Sequence, residues 1–535
     1  MWAFWSGAEL LAVKKRAREA ARPLQCCVRG SALQEGIKAV AIGKHGAKPV
    51  PESILEPLKV ELERVEHQLQ VFKRQGPNMA ADDPASSLNI EQVARRASFL
   101  ASLFLKYELL PAEAQLLQHC IPKSTASLRL GRERCDCFAS DVLQTLCTNL
   151  LPESKAFRLG VKLLSAQVLS REEAMELASI VLSCNANTME SPAVDITDVV
   201  SFRALTMHTM RVRHETSDEL LGMAEAANSA MSPSFRPHQS STQSRPPQRY
   251  VQLAEPFDGF ERPGCLLTTP IIAWHLQERW GIANVVGAMG DSPGPKYGPN
   301  LKSVALELSR ALGPHSTAVN FAQNLDDIFK GSRAGSRCFN LVDQAVICPA
   351  LYDLLPLRRS IVKRPGWSTV EKFVGCAPEQ CSVLIASAFH PPYTKRMIEV
   401  SMGLGLSGAI IIRKGIEGTL SIAPDSNFIE LACCARRADH TYEQIELKVQ
   451  PSVERVKTSS PANATVSATL TAAENARLLR NYYQSRTSCG DEQFDRIIQA
   501  TLACVDAGMQ WLMEHIHEQG LAGEASSSVP PCAGG

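Results

Sequence analysis

The sequence lacks an excess of charge of either sign. Its 535 residues include 56 lysines and arginines against 55 aspartates and glutamates, which leaves a formal net charge of +1. A general positive field that would attract nucleic acid or an anionic membrane is therefore excluded, and such binding would need a local basic patch. The composition, with 45% hydrophobic and 21% charged residues, is that of a soluble globular protein. The length suits two to four domains of roughly 100 to 200 residues each.

The chain also lacks the cysteine spacing of zinc sites and of small disulfide frameworks. Its 17 cysteines are scattered without a C-x-x-C pair, and Cys135 and Cys137 form a single C-x-C. This distribution favours a reduced compartment. The longest apolar stretch, MIEVSMGLGLSGAIII, is broken by glycines and a glutamate. It predicts a helix, a turn and a buried strand, and no membrane partner is expected.

The first thirty residues are poor in acids, with six lysines and arginines against Glu9 and Glu19. Two interpretations remain open for residues 1–35. They form either a basic amphipathic transit peptide, which would place the protein in a plastid or another organelle, or a disordered or helical extension of a cytoplasmic protein. Residues 36–95 are predicted to be an N-terminal extension and linker.

The remaining chain divides by its periodicity into a helical domain and an α/β domain. Residues 96–230 have helical spacing throughout. Residues 231–249, rich in Ser, Pro and Gln with no acid, are predicted to be a hinge or loop. Apolar strand-like runs then alternate with amphipathic helices over residues 250–452, which predicts a sheet covered on both faces. Residues 453–520 hold two closing helices, and residues 521–535 are predicted to be disordered.

A polar joint, MRVRHETSDELLGMAEA, interrupts the helical spacing of the first domain. Thr216 is followed three residues later by Glu219, which is the pattern of a capping box at the start of a helix. Acidic side chains here also suit the positive end of a helix dipole. The joint is therefore predicted to be a tight, capped turn between two helices.

Seven short motifs in order resemble glycosyltransferase family 3, the anthranilate phosphoribosyltransferases and their relatives. The joint is similar to the family pattern R-x-K-G-E-T-x-x-E-l-x-G, with His214 in place of the family glycine. The other motifs are PFDGFERPG with TTP, LELSRALG, LRRSIVKRPGWSTVEKF, FHPPYTKRMIEVSMGLG, AIIIRKGIEG and LTAAENARLL. They cover about residues 160–510 and look most like a divergent branch that includes plant-type proteins and bacterial nucleic-acid-binding members. The resemblance implies an α/β fold of the anthranilate phosphoribosyltransferase and nucleoside phosphorylase type, and a homodimer through the helical domain.

The resemblance also implies where the two substrates of a phosphoribosyl transfer would lie. Phosphoribosyl pyrophosphate, with Mg²⁺, is expected at Asp258, Gly259, Thr268, Thr269, Gly290, Asp291 and Lys296. An anthranilate-like acceptor is expected at Arg213, His214, Arg358 and Arg364, since a guanidinium fork suits a carboxylate. Glu417 is the carboxylate nearest to the expected metal pair, whose positions are held here by Leu420 and Ser421.

The donor positions depart from what a phosphate cradle requires. Such cradles need glycines and free backbone amides, because a Cβ would keep the amides away from the phosphate oxygens. Here the loop reads Pro256 to Phe260, with a proline that removes a donor and two bulky phenylalanines. One carboxylate, Glu417, is also a poor magnesium site unless substrate phosphates complete it.

A second interpretation is a catalytically inactive relative that binds nucleic acid. Basic residues recur from position 330 to 364, and together with three arginines of the hinge they predict a positive groove that follows a phosphate backbone. The proposed contacts are Lys330, Arg333, Arg337, Arg359 and Lys363. The opposing interpretation is that these residues are solvated surface charges. The sequence thus leaves two function classes open, pentosyl transfer to an aromatic acceptor and nucleic-acid binding.

Overall fold

The computed structural model describes residues 31–41, 47–75, 88–106, 109–121, 136–185, 187–236, 250–255, 257–292, 298–330, 337–361, 364–375, 381–451 and 469–516. The first part is helical. Its helices are α1 (Ala32–Val40), α2 (Glu52–Gln75), α3 (Ile90–Leu105), α4 (Pro111–Cys120), α5 (Asp136–Leu146), α6 (Lys155–Leu164), α7 (Arg171–Ser183), α8 (Ile196–Arg213) and α9 (Ser217–Ser229).

The second part is built on one eight-stranded sheet. Its strands are β1 (Tyr250–Ala254), β2 (Val285–Met289), β3 (Val319–Phe321), β4 (Phe339–Asp343), β5 (Cys381–Ser387), β6 (Gly408–Arg413), β7 (Ile429–Arg436) and β8 (Tyr442–Val449). They lie in the order β3-β4-β2-β1-β5-β6-β7-β8. The six strands from β3 to β6 run parallel, and β7 and β8 are antiparallel additions. The strand order reverses between β1 and β5, and ligands commonly bind beyond the carboxyl ends of strands at such a switch point.

Helices cover the sheet and connect its strands. They are α10 (Thr269–Arg279), α11 (Leu301–Leu312), α12 (Leu325–Lys330), α13 (Gln344–Ile347), α14 (Pro349–Tyr352), α15 (Leu355–Ile361), α16 (Trp367–Val370), α17 (Pro391–Gly403), α18 (Ala472–Ser485) and α19 (Glu492–His515). Short 3₁₀ turns lie at Pro233–Phe235 and Glu371–Phe373.

The two faces of the sheet contribute to different hydrophobic cores, because successive strand residues point to opposite sides. Ala254, Leu384 and Ile411 pack with the N-terminal helices in one core. Leu253 and Ile385, each one position away along its strand, pack with α10, α11, α18 and α19 in the other. The helical part and the sheet therefore share a continuous core. Between them, α9 packs against α16 and α17, and α15 packs against α3 and α8.

The predicted fold class, a helical domain followed by an α/β domain, is confirmed. Residues 36–95, predicted to be an N-terminal extension and linker, include most of α1, all of α2 and the start of α3. Leu33, Ile37 and Val40 of α1 and Leu58 of α2 are fully buried in the first core, because their apolar spacing gives each helix a face to bury. Within the described ranges, no helix is both long and apolar enough to span a bilayer.

Candidate functional site

A cleft of ≈ 110 Å³ lies between the helical part and the carboxyl ends of β5 and β6. This location is next to the switch point of the sheet. The polar and charged residues that form its walls include Arg211, Arg364, Ser368, Lys372, His390, Tyr393 and Glu417. Cations therefore outnumber acids in the walls of the cleft.

Two polar atoms in the cleft wall are buried without a hydrogen-bond partner in the described part of the chain. They are Nη2 of Arg364 and Oγ of Ser368. Buried polar groups in folded proteins are nearly always hydrogen-bonded, so an orphaned donor at a cavity indicates a missing partner. Both residues line the cleft, and each of these two atoms has almost no solvent-exposed surface.

Arg211, from the last turn of α8, supplies positive charge from the helical side. Its guanidinium lies 6.0 Å from the centre of the Tyr393 ring and 3.5 Å from His214 Nδ1. No carboxylate of the described residues forms an ion pair with Arg211 within 4.0 Å. Its charge is therefore free to act on a ligand in the cleft.

The capped joint between α8 and α9 forms as the sequence predicts. Thr216 Oγ1 accepts a 3.2 Å hydrogen bond from the Glu219 amide, and Glu219 Oε2 accepts a 2.9 Å bond from the Thr216 amide. Glu219 is fully buried, and its Oε1 accepts a further 2.9 Å bond from the Leu169 amide. His214, which stands where the family pattern has glycine, has a φ of 67°, a positive value that glycine adopts more readily than other residues.

Arg213 points away from the cleft. Its guanidinium donates to Glu219, and its side chain is 8% exposed. Acceptor binding by Arg213 stays a prediction, but the side chain does not line the cleft. The physical reason is helical geometry, because residues two apart project about 200° apart around the axis, which leaves Arg211 facing the cleft. His214 does not line the cleft either, although burial and the nearby Arg211 lower its pKa.

Glu215 connects the joint to the cleft wall. Its Oε2 accepts a 2.9 Å hydrogen bond from the Tyr393 hydroxyl, and its Oε1 is buried without a hydrogen-bond partner among the described residues. Burial raises the pKa of Glu215. The side chain lies against Gly366, where an added Cβ would come within 2.6 Å of Oε1. The joint thus fixes Tyr393 in the cleft wall.

The loop that was expected to bind phosphoribosyl pyrophosphate packs against other segments of the protein. A Cβ at Gly290 would lie 2.7 Å from Cδ2 of Phe257, so the phenyl ring covers this glycine. A Cβ at Gly259 would lie 1.8 Å from the carbonyl oxygen of Gly298. The close approach that these glycines permit is therefore made to protein atoms. Pro256 and Lys296 lie outside the described residues.

Asp258 is the centre of a buried network of ion pairs. Its Oδ1 lies 2.8 Å from Nη2 of Arg358, and its Oδ2 accepts a bond from Arg364. Arg358 is also 2.7 Å from Glu371, and Arg364 is 3.4 Å from Glu417. The order of charges along this network is Glu371, Arg358, Asp258, Arg364 and Glu417.

This network includes two residues that were expected to bind a substrate. Arg358 was expected to hold the acceptor carboxylate, but its side chain is 1% exposed and binds Asp258 and Glu371. Asp258 was expected at the donor, but it is fully buried between two arginines. Arg364 alone of this group combines a position in the cleft wall with an unpaired nitrogen.

The two threonines expected at the donor are also fully buried. Thr268 Oγ1 shares a 2.9 Å hydrogen bond with the Ser421 hydroxyl, and the Thr269 hydroxyl donates to Glu255. Asp291 Oδ1 lies 2.9 Å from Lys302 Nζ, which also binds Asp343 at 2.6 Å. These positions are thus occupied by internal partners.

The described residues do not fit a magnesium site. They contain no group of three His, Cys, Asp or Glu side chains able to hold a metal ion. Glu417, expected as a weak metal ligand, is paired with Arg364, and Asp258 is paired with two arginines. Arginines thus already neutralise both carboxylates.

The basic groove predicted for nucleic acid does not form at Arg337. This side chain is 7% exposed and forms an ion pair with Glu278 of α10. It also donates a 3.2 Å hydrogen bond to the Tyr483 carbonyl oxygen. Arg333 and Lys363 lie outside the described residues, as do the side chains of Lys330 and Arg359.

Two titratable residues near the cleft were missed at the level of sequence. Lys372 lines the cleft, and burial followed by the positive charge of Arg364 lowers its pKa to about 8. Glu255 follows β1, and burial raises its pKa to about 7. An acid directly after a buried strand was the available signal for Glu255. Lys372 gave no such signal, because its burial depends on packing of distant segments.

Comparisons with known proteins find one relative in sequence and several structures. No protein-family model matches the chain. An uncharacterised protein of Aquifex aeolicus (strain VF5) is 29% identical over 259 residues, which are 48% of this chain and 66%, just under two thirds, of the relative's length.

Similar solved structures include anthranilate phosphoribosyltransferases at low sequence identity. The enzyme from Thermus thermophilus has a TM-score of 0.44 and 17% identity, with 65% of this chain and 88% of that chain covered. The enzyme from Saccharomyces cerevisiae in complex with PRPP and Mg has a TM-score of 0.45 and 14% identity, with 70% and 92% covered. Its complex with 4-fluoroanthranilate has a TM-score of 0.44 and 13% identity, with 72% and 91% covered.

Proposed function

We propose that the protein is of the phosphoribosyltransferase type and binds an anthranilate-like aromatic carboxylate in the cleft, while its donor half is closed by internal contacts. The observation that carries this proposal is the pair of unpartnered buried donors at the cleft, Arg364 Nη2 and Ser368 Oγ. A bound carboxylate would supply an acceptor of the kind that these donors lack, and Arg211 adds a second positive charge to the cleft. Tyr393 supplies an aromatic wall for a ring.

The donor site is filled by contacts within the protein, so binding of the acceptor need not lead to phosphoribosyl transfer. Phosphoribosyl pyrophosphate needs a cation site and open backbone amides. In the described residues, the ring of Phe257 covers Gly290, and the nearest carboxylates are neutralised by arginines. We therefore expect the protein to bind the acceptor but to transfer the phosphoribosyl group from phosphoribosyl pyrophosphate very slowly or not at all. The homodimer and the organellar location implied above stay predictions.

Nucleic-acid binding is not proposed as a second function. Of the five contacts proposed from the sequence, Arg337 is the one whose side chain the structure describes, and it is buried against Glu278. A phosphate backbone could reach this guanidinium only if that ion pair opened.

The proposal is tested by equilibrium dialysis of anthranilate against the purified protein. We expect saturable binding of anthranilate and much weaker binding of aniline, which has the same ring and amine but no carboxylate. Arg211→Ala should weaken anthranilate binding, whereas Lys395→Ala, at a side chain that is 83% exposed, should leave it unchanged. Equal binding of anthranilate and aniline would overturn the proposal.

A further inference from the structure

Lys372 places an amine in the wall of the cleft. The residue lies in the 3₁₀ turn after α16 and is 7% exposed. Its Nζ donates a hydrogen bond to the carbonyl oxygen of Ser387, at the carboxyl end of β5. Both residues line the cleft, so a small molecule bound there would lie beside this amine.

The carboxylates around Lys372 have other partners. Glu371 is bonded to Arg358, and Asp258 is bonded to the same arginine. Glu255 Oε1 accepts a 2.8 Å hydrogen bond from a backbone amide. In the part of the chain that the structure describes, Lys372 forms no ion pair within 4.0 Å. The amine is therefore buried without a counter-ion of its own.

These surroundings favour the neutral form of the amine. Burial is the largest cause and Arg364 the next, and together they lower the pKa of Lys372 to about 8. The charges of Glu371, Glu255 and Asp258 act in the opposite direction and offset part of this effect. Near pH 8 a substantial fraction of the side chain is neutral, and only the neutral amine is a nucleophile.

We propose that Lys372 forms a reversible Schiff base with the aldehyde or ketone group of a small anionic compound bound in the cleft. The geometry supports this chemistry, because an amine at a cavity wall lies beside the cations that would hold an anionic group. Arg364 Nη2 and Ser368 Oγ are the unpaired donors for that group. An open-chain phosphorylated aldose belongs to this chemical class.

The reaction balances without any further reactant. The Nζ lone pair attacks the carbonyl carbon, the carbonyl π electrons move to oxygen, and a proton passes from nitrogen to that oxygen to give a carbinolamine. Loss of the hydroxyl with one proton as water leaves the imine. One aldehyde and one amine thus give one imine and one water, and hydrolysis reverses the step.

This step goes beyond acceptor binding, although both use the same cleft. It is tested on the full-length protein with pyridoxal 5′-phosphate, an anionic aromatic aldehyde, followed by reduction with borohydride and peptide mass spectrometry. We expect Lys372 to be half-labelled at a concentration at least about tenfold lower than Lys395, because each unit of lowered pKa raises the neutral fraction about tenfold. The rate of labelling should rise with pH and level off above about pH 8.

The controls distinguish labelling by Schiff-base formation in the cleft from labelling that follows only how exposed each lysine is. Lys395→Ala should leave the labelling of Lys372 unchanged, and Lys372→Arg should remove the adduct at that position. Labelling of lysines in proportion to their exposure, with Lys372 unmodified, would overturn the proposal, and this result is read from the wild-type protein. Anthranilate dialysis is a separate measurement, so failure of one proposal is distinguishable from failure of the other.

Discussion

Oδ1 of Asp258 lies 2.8 Å from Nη2 of Arg358, and both side chains are at most 1% exposed. The two residues are 100 positions apart in the chain. Asp258 was expected in the donor site and Arg358 in the acceptor site, but the two side chains form an ion pair with each other. Both charges are therefore paired inside the protein.

Arg358→Ala should lower the free energy of unfolding by about 3–5 kcal/mol, since removal of one partner leaves a buried charge uncompensated. Urea denaturation measures this cost. The matched control is Arg310→Ala, which breaks an ion pair with Glu307 in which the arginine is 71% exposed. Exposed pairs contribute about 0–1 kcal/mol. Equal costs for the two variants would contradict a structural role for the buried network.

Thr216→Ala should lower the free energy of unfolding by about 1 kcal/mol, because it removes the side-chain acceptor at the start of α9. Asp218→Ala, on the exposed side of the same turn, should cost less. Chemical denaturation of the two variants provides the comparison. If Asp218→Ala costs as much as Thr216→Ala, the capping box does not stabilise the joint.

Arg211→Ala should affect ligand binding, whereas Arg213→Ala should affect stability. Arg213 is 8% exposed and bonded to the buried Glu219, so its loss should lower the melting temperature. Arg211 lines the cleft, so its loss should weaken binding of anthranilate and change the melting temperature little. Thermal melts and dialysis on both variants test this. Weakened binding in Arg213→Ala without loss of stability would restore the expectation drawn from the sequence.

The sequence predicts those features that depend on neighbours along the chain. Thr216 and Glu219 are three residues apart, so their capping box was visible, and the alternation of strands and helices predicted the sheet. The partner of Arg358 was not visible, because a buried ion pair between positions 258 and 358 exists only after folding.

Helical phase separates two residues that the sequence could not distinguish. Arg211 and Arg213 are both basic and both match the family pattern, so residue type alone could not decide between them. The choice depends on which side of α8 faces the cleft. Lys372 was missed for a related reason, since its chemistry comes from burial against β5 and not from its neighbours in sequence.

Glu255→Gln should change how stability depends on pH. Burial raises the pKa of Glu255 from 4.5 to about 7 in the folded protein. As pH rises from 4.5 to 7, the unfolded chain loses this proton first, so wild-type stability should fall relative to the variant. The total change should be about 3 kcal/mol, at 1.36 kcal/mol per pKa unit. Urea denaturation from pH 4.5 to 8 measures it, and a constant difference between the two proteins would contradict the shifted pKa.

The central claim is that the acceptor cleft is open and the donor loop is closed. It is tested most directly by calorimetry, in which the same protein preparation is titrated separately with anthranilate and with phosphoribosyl pyrophosphate plus Mg²⁺. Anthranilate should give a saturable heat. Phosphoribosyl pyrophosphate with Mg²⁺ should give no saturation up to about 1 mM, the upper end of the usual range of KM values. Saturable micromolar binding of phosphoribosyl pyrophosphate with Mg²⁺ would contradict the account.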